Sequence, residues 1–143
     1  MVYPILVMAA IIERNNKFLI TQREKNMHNA LRWEFPGGKV DFGEDPRYSL
    51  EREIKEELDI EIQAENIFEL SSHVYDKEKH IVLLACLCKF KSGKIKNHGI
   101  NDYKWVTPKE MIDYDITEAD LPFVKKLIEM KENGKTKNKT CIF

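Results

Sequence analysis

The stretch GKVDFGEDPRYSLEREIKEELDI, residues 38–60, carries the strongest structural signal in the chain. Acidic residues followed by Pro46 are typical of a helix start, because proline suits the first turn of a helix. Apolar residues then recur every four positions, as expected of a helix that buries one face. These residues are Leu50, Ile54 and Leu58. We therefore predict one amphipathic helix over residues 46–58.

The same helix carries three glutamates on one face. Glu53, Glu56 and Glu57 occupy positions i, i+3 and i+4, which places their Cβ atoms about 5–6 Å apart. Like charges at this spacing destabilise a helix, and a divalent cation would offset the repulsion. Carboxylate oxygens without histidine or thiolate favour Mg²⁺ or Mn²⁺ over zinc. The residues alone leave an alternative open, which is a solvated acidic face screened by Arg52 and Lys55.

Outside this stretch, short apolar runs alternate with turn residues. Residues 5–13 and 17–22 are predicted strands joined at Asn15-Asn16, a pair that tolerates the positive φ of a hairpin turn. A short strand over residues 32–35 follows and is ended by Pro36-Gly37-Gly38. The remaining predicted elements are strands over 67–75, 80–90 and 103–106, a short helix from Thr107-Pro108, and a final helix over 122–130. This mixture predicts an α/β or α+β class, with helices covering a mixed sheet.

Composition limits the function classes. A chain of 143 residues predicts one domain, and its polar, lysine-rich C-terminus divides it into a domain over 1–131 and a tail over 132–143. A net charge of −1 gives no overall field that favours nucleic acid. The apolar run 2–12 precedes the first basic residue and is too short to cross a bilayer, so we expect no membrane association. Three cysteines without zinc-site spacing favour a reducing cytoplasm, with Cys86 and Cys88 as small buried residues.

The opening stretch resembles a known family, the Nudix hydrolases. It matches their box, GX5EX7REUXEEXGU with U aliphatic, at eight positions: Gly38, Glu44, Arg52, Glu53, Ile54, Glu56, Glu57 and Ile60. The second glycine of the box is Asp59 here, at the helix end, where a left-handed conformation favours glycine but tolerates aspartate. The resemblance implies the Nudix α/β/α sandwich, a mixed sheet with helices on both sides.

The resemblance continues beyond the box. Arg23, His28 and the run Trp33–Lys39 resemble the MutT-like branch, whose members hydrolyse nucleoside triphosphates to a monophosphate and pyrophosphate. Residues 119–122, Ala-Asp-Leu-Pro, resemble the CTP pyrophosphohydrolase members of that branch. The implied substrate is a small nucleotide, and the implied cofactor is Mg²⁺ or Mn²⁺. A monomer and a homodimer are both compatible with the sequence.

The resemblance also implies roles for single residues near the box. The Gly37 carbonyl would bind metal together with Glu53, Glu56 and Glu57. Glu53 is the first choice for the catalytic base, oriented by Arg52. Two other glutamates, Glu44 and Glu56, are the alternatives for the base.

Substrate contacts are implied at five further positions. Arg23 would meet a phosphate, since its planar fork suits phosphate oxygens. His28, Glu34 and Phe35 belong to the MutT-like pattern and would line the substrate site. Asp120 would read the nucleobase, because an ionised carboxylate only accepts hydrogen bonds. The alternative for Asp120 is a capping turn ahead of the last helix.

One departure from the family affects the metal site. Relatives often carry another metal-binding glutamate six residues before the tryptophan matched by Trp105, and that position is Gly99 here. His98, Asp102 or water are the open substitutes. Two other Nudix substrates compete with a triphosphate, namely ADP-ribose and a dinucleoside polyphosphate, the latter suggested by Tyr75. A non-catalytic nucleotide-binding module is the third alternative, disfavoured because all four box glutamates are present.

Overall fold

The computed structural model describes residues 2–134. Its two helices are α1, Pro46–Leu58, and α2, Leu121–Gly134. Its strands are β1 Ile5–Arg14, β2 Lys17–Gln22, β3 Trp33–Glu34, β4 Gly37–Lys39, β5 Ile60–Asp76, β6 Lys79–Gly93 and β7 Asp102–Val106. Two 3₁₀ turns, Glu110–Asp113 and Glu118–Asp120, precede α2. None of the helices within residues 2–134 is long and apolar enough to span a membrane.

The strands form one mixed sheet with β1 at its centre. On one side β1 pairs in parallel with β6, from Ile5 opposite Ile81 to Glu13 opposite Lys89. On the other side it pairs antiparallel with β4 near its start and with β2 at its end. The path through the sheet is β3-β2-β1-β6-β5, with β7 beside β2.

Both faces of β1 are buried, which makes the fold three layers deep. Ala9 and Ile11 belong to the core that α2 covers. Met8, Ala10 and Ile12 belong to the opposite core. That second core contains the three predicted apolar residues of α1, Leu50, Ile54 and Leu58, each 0% exposed. The α/β/α arrangement with helices on both sides of a mixed sheet is therefore confirmed.

The two ends of α1 follow from local sequence. Asp45 caps the N-terminus, and its carboxylate accepts hydrogen bonds from the amides of Arg47 and Tyr48. Asp59 ends the helix at φ 59° and ψ 32°, the left-handed conformation expected where relatives carry glycine. The Lys55 ammonium lies 3.2 Å from its carboxylate and holds the pKa of Asp59 below its ordinary value.

Two strand predictions were incomplete. The sequence predicts Pro36-Gly37-Gly38 only as the end of the preceding strand, yet β4 begins within this segment and pairs with β1. A Cβ on Gly37 would overlap the carbonyl oxygen of Met8, so glycine permits this close approach. Strand β5 was predicted from residue 67 but begins at Ile60, because Ile60 and Ile62 alternate into the core under α1.

The remaining elements lie where they were expected, with shifted ends. The last helix continues to Gly134, three residues past the predicted end of the domain, and residues 135–143 of the predicted tail lie outside the described part of the chain. Cys86 and Cys88 are buried free thiols, as predicted.

Candidate active site

A pocket of about 300 Å³ opens beside β1, β3 and β4. The residues predicted to bind substrate all line it, together with the glycine predicted to bind metal. They come from three separate parts of the chain: Arg23 and His28; Glu34, Phe35 and Gly37; and Asp120. The fold thus brings together residues that the sequence placed almost one hundred positions apart.

Asp120 is fixed in this pocket by an unusual extension of the sheet edge. The segment 115–120 runs beside β3, where the Trp33 amide donates to the Asp115 carbonyl (2.8 Å) and the Thr117 amide donates to the Trp33 carbonyl (2.9 Å). The next rung is a side chain, because the Phe35 amide donates to Asp120 Oδ2 at 2.7 Å. The carboxyl accepts from Phe35, the residue after β3, rather than acting as a helix cap, which favours the pocket interpretation over the capping one.

Burial changes the protonation of Asp120. The residue is 3% exposed, and burial together with the nearby Glu34 charge raises its pKa well above the ordinary value. The pKa of Glu34 is also raised by burial, against the opposing charge of Arg23. A buried carboxyl group, Asp120, and a half-buried one, Glu34, therefore share one end of the pocket, and both have a raised pKa.

Arg23 joins the pocket loop to Glu34. Its Nε donates to the His28 carbonyl at 2.7 Å, and its Nη1 lies 3.0 and 3.2 Å from the two Glu34 carboxylate oxygens. The second terminal nitrogen, Nη2, has no hydrogen-bond partner within residues 2–134. Two of its nitrogens thus hold the site together and one is left for a ligand.

The acidic face of α1 is organised by Arg52. Its guanidinium binds both oxygens of Glu44, at 2.7 and 2.9 Å, and lowers the pKa of that carboxyl to about 2. It also lies 3.1 Å from Glu56 and 3.4 Å from Glu53. One cation therefore touches three of the four box glutamates, and Glu57 is left without it.

The pKa of Glu57 shows that the negative charge on this face is not fully compensated. Burial, with the negative charges of Glu53 and Glu34, raises its pKa to about 7. Burial also raises the pKa of Glu53. A partly buried group of oxygen donors that repel one another has the chemistry of a site for a hard divalent cation.

The ligand set is nevertheless not preassembled. Within the described residues, no three acidic, histidine or cysteine side chains converge as metal ligands. Glu56 turns towards Arg52, while Glu53 lies against Gly38. The metal-binding roles of Gly37, Glu53, Glu56 and Glu57 remain a prediction that the donor chemistry fits.

The pocket and the acidic face meet at the glycine pair of β4. Gly37 and Gly38 both line the pocket. A Cβ on Gly38 would come within 2.7 Å of the Glu53 carboxyl carbon, so a side chain at this position would displace the Glu53 carboxylate from the strand. The two halves of the site are therefore continuous.

Comparison with known proteins decides the family. The NUDIX domain profile matches residues 2–127. The chain belongs to the NUDIX family. It is 34% identical over 126 residues to a CTP pyrophosphohydrolase of Escherichia coli (strain K12), covering 87% of this chain and 92% of that one. It is 30% identical to an 8-oxo-dGTP diphosphatase of the same organism, covering 85% and 94%. The chain is thus a Nudix hydrolase.

Solved structures agree with this assignment. The solution structure of the E. coli ORF135 protein matches with a TM-score of 0.80 at 31% identity, covering 92% of this chain and 94% of that one. The crystal structure of MutT protein from Methanosarcina mazei Go1 matches with a TM-score of 0.76 at 22% identity, covering 95% and 98%. The second likeness shows a shared fold.

The loop that lacks the usual Nudix glutamate packs against the end of α1. The amides of Lys96 and His98 donate to the carbonyls of Leu58 and Glu57, at 2.9 and 3.0 Å. The backbone of His98 therefore lies beside the C-terminal end of α1. The Asp102 carboxylate instead accepts a hydrogen bond from the amide of its neighbour, Tyr103. Neither residue joins a metal-ligand cluster in the described part of the chain.

Sequence reasoning missed one wall of the Nudix pocket. Tyr75 and Lys79, from the tip of the β5–β6 hairpin, also line it. The Tyr75 ring packs edge-on against the rings of His28 and His73, with centroids 5.2 and 4.5 Å apart. The sequence singles out Tyr75 only by its resemblance to a tyrosine of dinucleoside-polyphosphate hydrolases. The hairpin tip reaches the pocket through the parallel pairing of β6 with β1, which no local pattern indicates.

Proposed function

We propose that this Nudix hydrolase is a divalent-metal-dependent nucleoside triphosphate pyrophosphohydrolase. It converts a triphosphate and water to a nucleoside monophosphate and pyrophosphate. Relatives with matching length are named CTP pyrophosphohydrolase and 8-oxo-dGTP diphosphatase, which supports this class of substrate. The cytoplasm is the proposed location, where the two buried thiols remain reduced.

One observation carries the proposal, namely the continuity of a base-sized pocket with an acidic face. Asp120 lies buried in the pocket, and Gly38 joins the pocket to Glu53. A nucleotide bound with its base towards Asp120 directs its phosphates towards the α1 glutamates. Bare carboxylates would repel those phosphates, so this orientation requires a cation between them.

The residues present suit Mg²⁺ or Mn²⁺ at the phosphate end. The Gly37 carbonyl and the carboxylates of Glu53, Glu56 and Glu57 are the proposed ligands. A bound divalent ion supplies charge neutralisation and lowers the pKa of the attacking water. Glu53 is the proposed base, held in place by Arg52, with Glu44 and Glu56 as the alternatives.

The phosphate chain has a second proposed partner in Arg23. Two of its nitrogens are anchored to His28 and Glu34, so the guanidinium is held in a fixed orientation. A phosphate oxygen can accept a hydrogen bond from the remaining nitrogen, Nη2, without breaking either contact. This arrangement supports phosphate binding by a preorganised group, which loses little side-chain entropy on binding.

Asp120 is the proposed reader of the nucleobase. When ionised, its carboxyl only accepts hydrogen bonds, and it suits the exocyclic amino group of cytosine. An acceptor on 8-oxoguanine would face a negative charge and be left unpaired, at a cost of about 1–3 kcal/mol. We therefore expect CTP, dCTP and especially 5-hydroxy-dCTP to be better substrates than 8-oxo-dGTP.

The test is a panel of nucleotides in Mg²⁺ and, separately, in Mn²⁺. Natural and oxidised triphosphates are followed by phosphate release with added pyrophosphatase. ADP-ribose and dinucleoside polyphosphates yield no pyrophosphate, so they are followed by phosphate release with added alkaline phosphatase, which cleaves their phosphomonoester products. Hydrolysis in ¹⁸O-water followed by mass spectrometry identifies the products. Monophosphate plus pyrophosphate is expected, and orthophosphate as the first product would reject the proposed cleavage position. Highest kcat/KM on ADP-ribose or a dinucleoside polyphosphate would reassign the substrate.

A further inference from the structure

Arg32 lies near the pocket and has no role in the proposed function, yet all three of its guanidinium nitrogens form hydrogen bonds. Its Nη1 donates to both carboxylate oxygens of Glu118, at 2.7 and 2.8 Å. Its Nη2 donates to the Ile116 carbonyl at 2.7 Å, and its Nε donates to Asp115 at 3.2 Å. The side chain is only 21% exposed. A single guanidinium therefore binds three residues that lie more than eighty positions away.

These partners belong to the segment that carries Asp120. Residues 115–120 form the ladder beside β3, whose last rung joins the Asp120 carboxyl to the Phe35 amide. Arg32 immediately precedes β3, so it fastens this segment where the ladder begins. It does not line the pocket itself.

We infer that Arg32 is a positioning residue for base recognition, which holds segment 115–120 against β3 so that Asp120 keeps its depth and orientation in the pocket. The inference rests on the proposed function in that Asp120 reads the base. The clamp itself is a matter of hydrogen bonding and can be tested without activity.

The shape of arginine matters for this role. Three nitrogens in one plane meet two carboxylates and one carbonyl, which a lysine ammonium on a flexible stem cannot reproduce. Two backbone rungs, at Trp33 and Thr117, are the other hydrogen bonds between this segment and β3 among the described residues, and Ile116 and Ala119 pack into the core. Without the clamp these rungs would open more often, and the Asp120 carboxyl would leave the Phe35 amide in the same fluctuation.

The first arm of the test is amide hydrogen exchange of the metal-free protein. Arg32→Met keeps the apolar stem and removes the fork. Its matched control is Arg47→Met, since Arg47 also donates from Nε to a distant carbonyl, that of Glu65, but lies outside the pocket. We expect the Phe35 and Thr117 amides to exchange about tenfold faster or more in Arg32→Met alone. Unchanged exchange at both amides overturns the inference.

A second pair of variants keeps the test decisive if Arg32→Met folds poorly. Glu118→Gln weakens the clamp from its other side and leaves arginine in place. Arg32→Lys keeps the positive charge but loses the planar fork, so its exchange rates should lie between those of wild type and Arg32→Met. Wild-type exchange in Glu118→Gln together with wild-type exchange in Arg32→Lys would contradict the role of the fork.

The second arm is kinetic and separates positioning from general damage. Arg32→Met should raise KM for nucleoside triphosphates about tenfold and compress the selectivity between dCTP and 8-oxo-dGTP, with kcat changed much less. Adding Asp120→Asn should then produce little further compression, because both changes act through one carboxyl. Equal loss of kcat on every nucleotide would overturn the inference. Absence of nucleoside triphosphate pyrophosphohydrolase activity in the wild-type protein would reject the proposed function, while hydrogen exchange would still test the role of Arg32 in holding segment 115–120.

Discussion

The proposed active site has two ends that are built in opposite ways: the acidic end, which is the glutamate face of α1, and the base end, which is the proposed nucleobase pocket around Asp120. The acidic end comes from one continuous stretch, α1 and the glycines before it, and its carboxylates are partly exposed around Arg52. The base end is assembled from segments far apart in the chain, and Asp120 there is almost fully buried. Local assembly suits a charge cluster that must exchange ions with solvent. Assembly from segments that are distant in sequence suits a pocket whose proposed role is to exclude water and discriminate between nucleobases by shape.

The largest expected effect comes from neutralising one carboxylate at the acidic end. Glu57→Gln keeps the side-chain shape but removes a proposed metal ligand. We expect kcat at saturating Mg²⁺ to fall on the order of a hundredfold to ten-thousandfold, since several kcal/mol of charge stabilisation is lost. The matched control is Glu61→Gln, on an exposed residue of β5. Near-normal turnover of Glu57→Gln would remove Glu57 from the site.

A smaller effect is expected at the base end. Asp120→Asn keeps an acceptor for the Phe35 amide and adds a donor, so the fold should survive. The ratio of kcat/KM for dCTP over 8-oxo-dGTP should fall roughly tenfold or reverse. Because burial raises the pKa of Asp120, its acceptor-only form gains population as pH rises. The wild-type ratio should therefore be larger at about pH 9 than at about pH 6.

The control for this experiment is Asp113→Asn, an exposed aspartate outside the pocket. It should leave the ratio unchanged at both pH values. If 8-oxo-dGTP has the highest kcat/KM at both values and Asp120→Asn alters no ratio, Asp120 has only a structural role.

The acidic end should also affect the free energy of unfolding of the metal-free protein. The pKa of Glu57 is raised from an ordinary 4.5 to about 7, so the folded state holds its proton more tightly than the unfolded chain. The stability that this provides is full below about pH 4.5 and is lost as pH rises through 7. Metal-free Glu57→Gln should match wild type near pH 4 and exceed it by about 1–2 kcal/mol near pH 8.

Urea unfolding across this pH range measures the difference. Added Mg²⁺ should stabilise wild type more than Glu57→Gln, because a ligand stabilises only the state that binds it. A pH-independent difference between the two proteins would contradict the charge repulsion assigned to Glu57.

The smallest expected effect lies where α1 ends. Asp59→Gly should raise the free energy of unfolding by up to about 1 kcal/mol, since glycine adopts the left-handed conformation without strain. Loss of the contacts to Lys55 and Lys96 offsets part of that gain. Asp59→Asn separates the two contributions, because asparagine tolerates the conformation but carries no charge. Turnover should not change in either variant, and a large loss of turnover would give Asp59 a chemical role.

The same contrast between local and distant assembly explains what the sequence could predict. The bounds of α1, its three buried apolar residues and its left-handed end depend on neighbours within a few positions, and these features were predicted, whereas the burial of Ser49 was not. Strand β4 was not predicted because it forms by pairing with β1 at Met8, nearly thirty residues earlier in the chain. The pocket wall at Tyr75 and Lys79 depends on a parallel strand pairing that leaves no periodic trace. The pocket members that were predicted came from family resemblance, not from local pattern.

The hydrogen bond between Phe35 and Asp120 restricts how this enzyme can change its substrate during evolution. The side chain at position 120 completes a β-ladder, so it must be short and must accept a hydrogen bond from an amide; in its proposed role it must also present an atom to the nucleobase. Aspartate and asparagine both meet these demands, whereas alanine would leave a buried amide unpaired and glutamate would be too long for the same rung. New specificity is therefore most accessible through a single exchange of acid for amide. Any wider change of base preference has to remodel the edge of the sheet first.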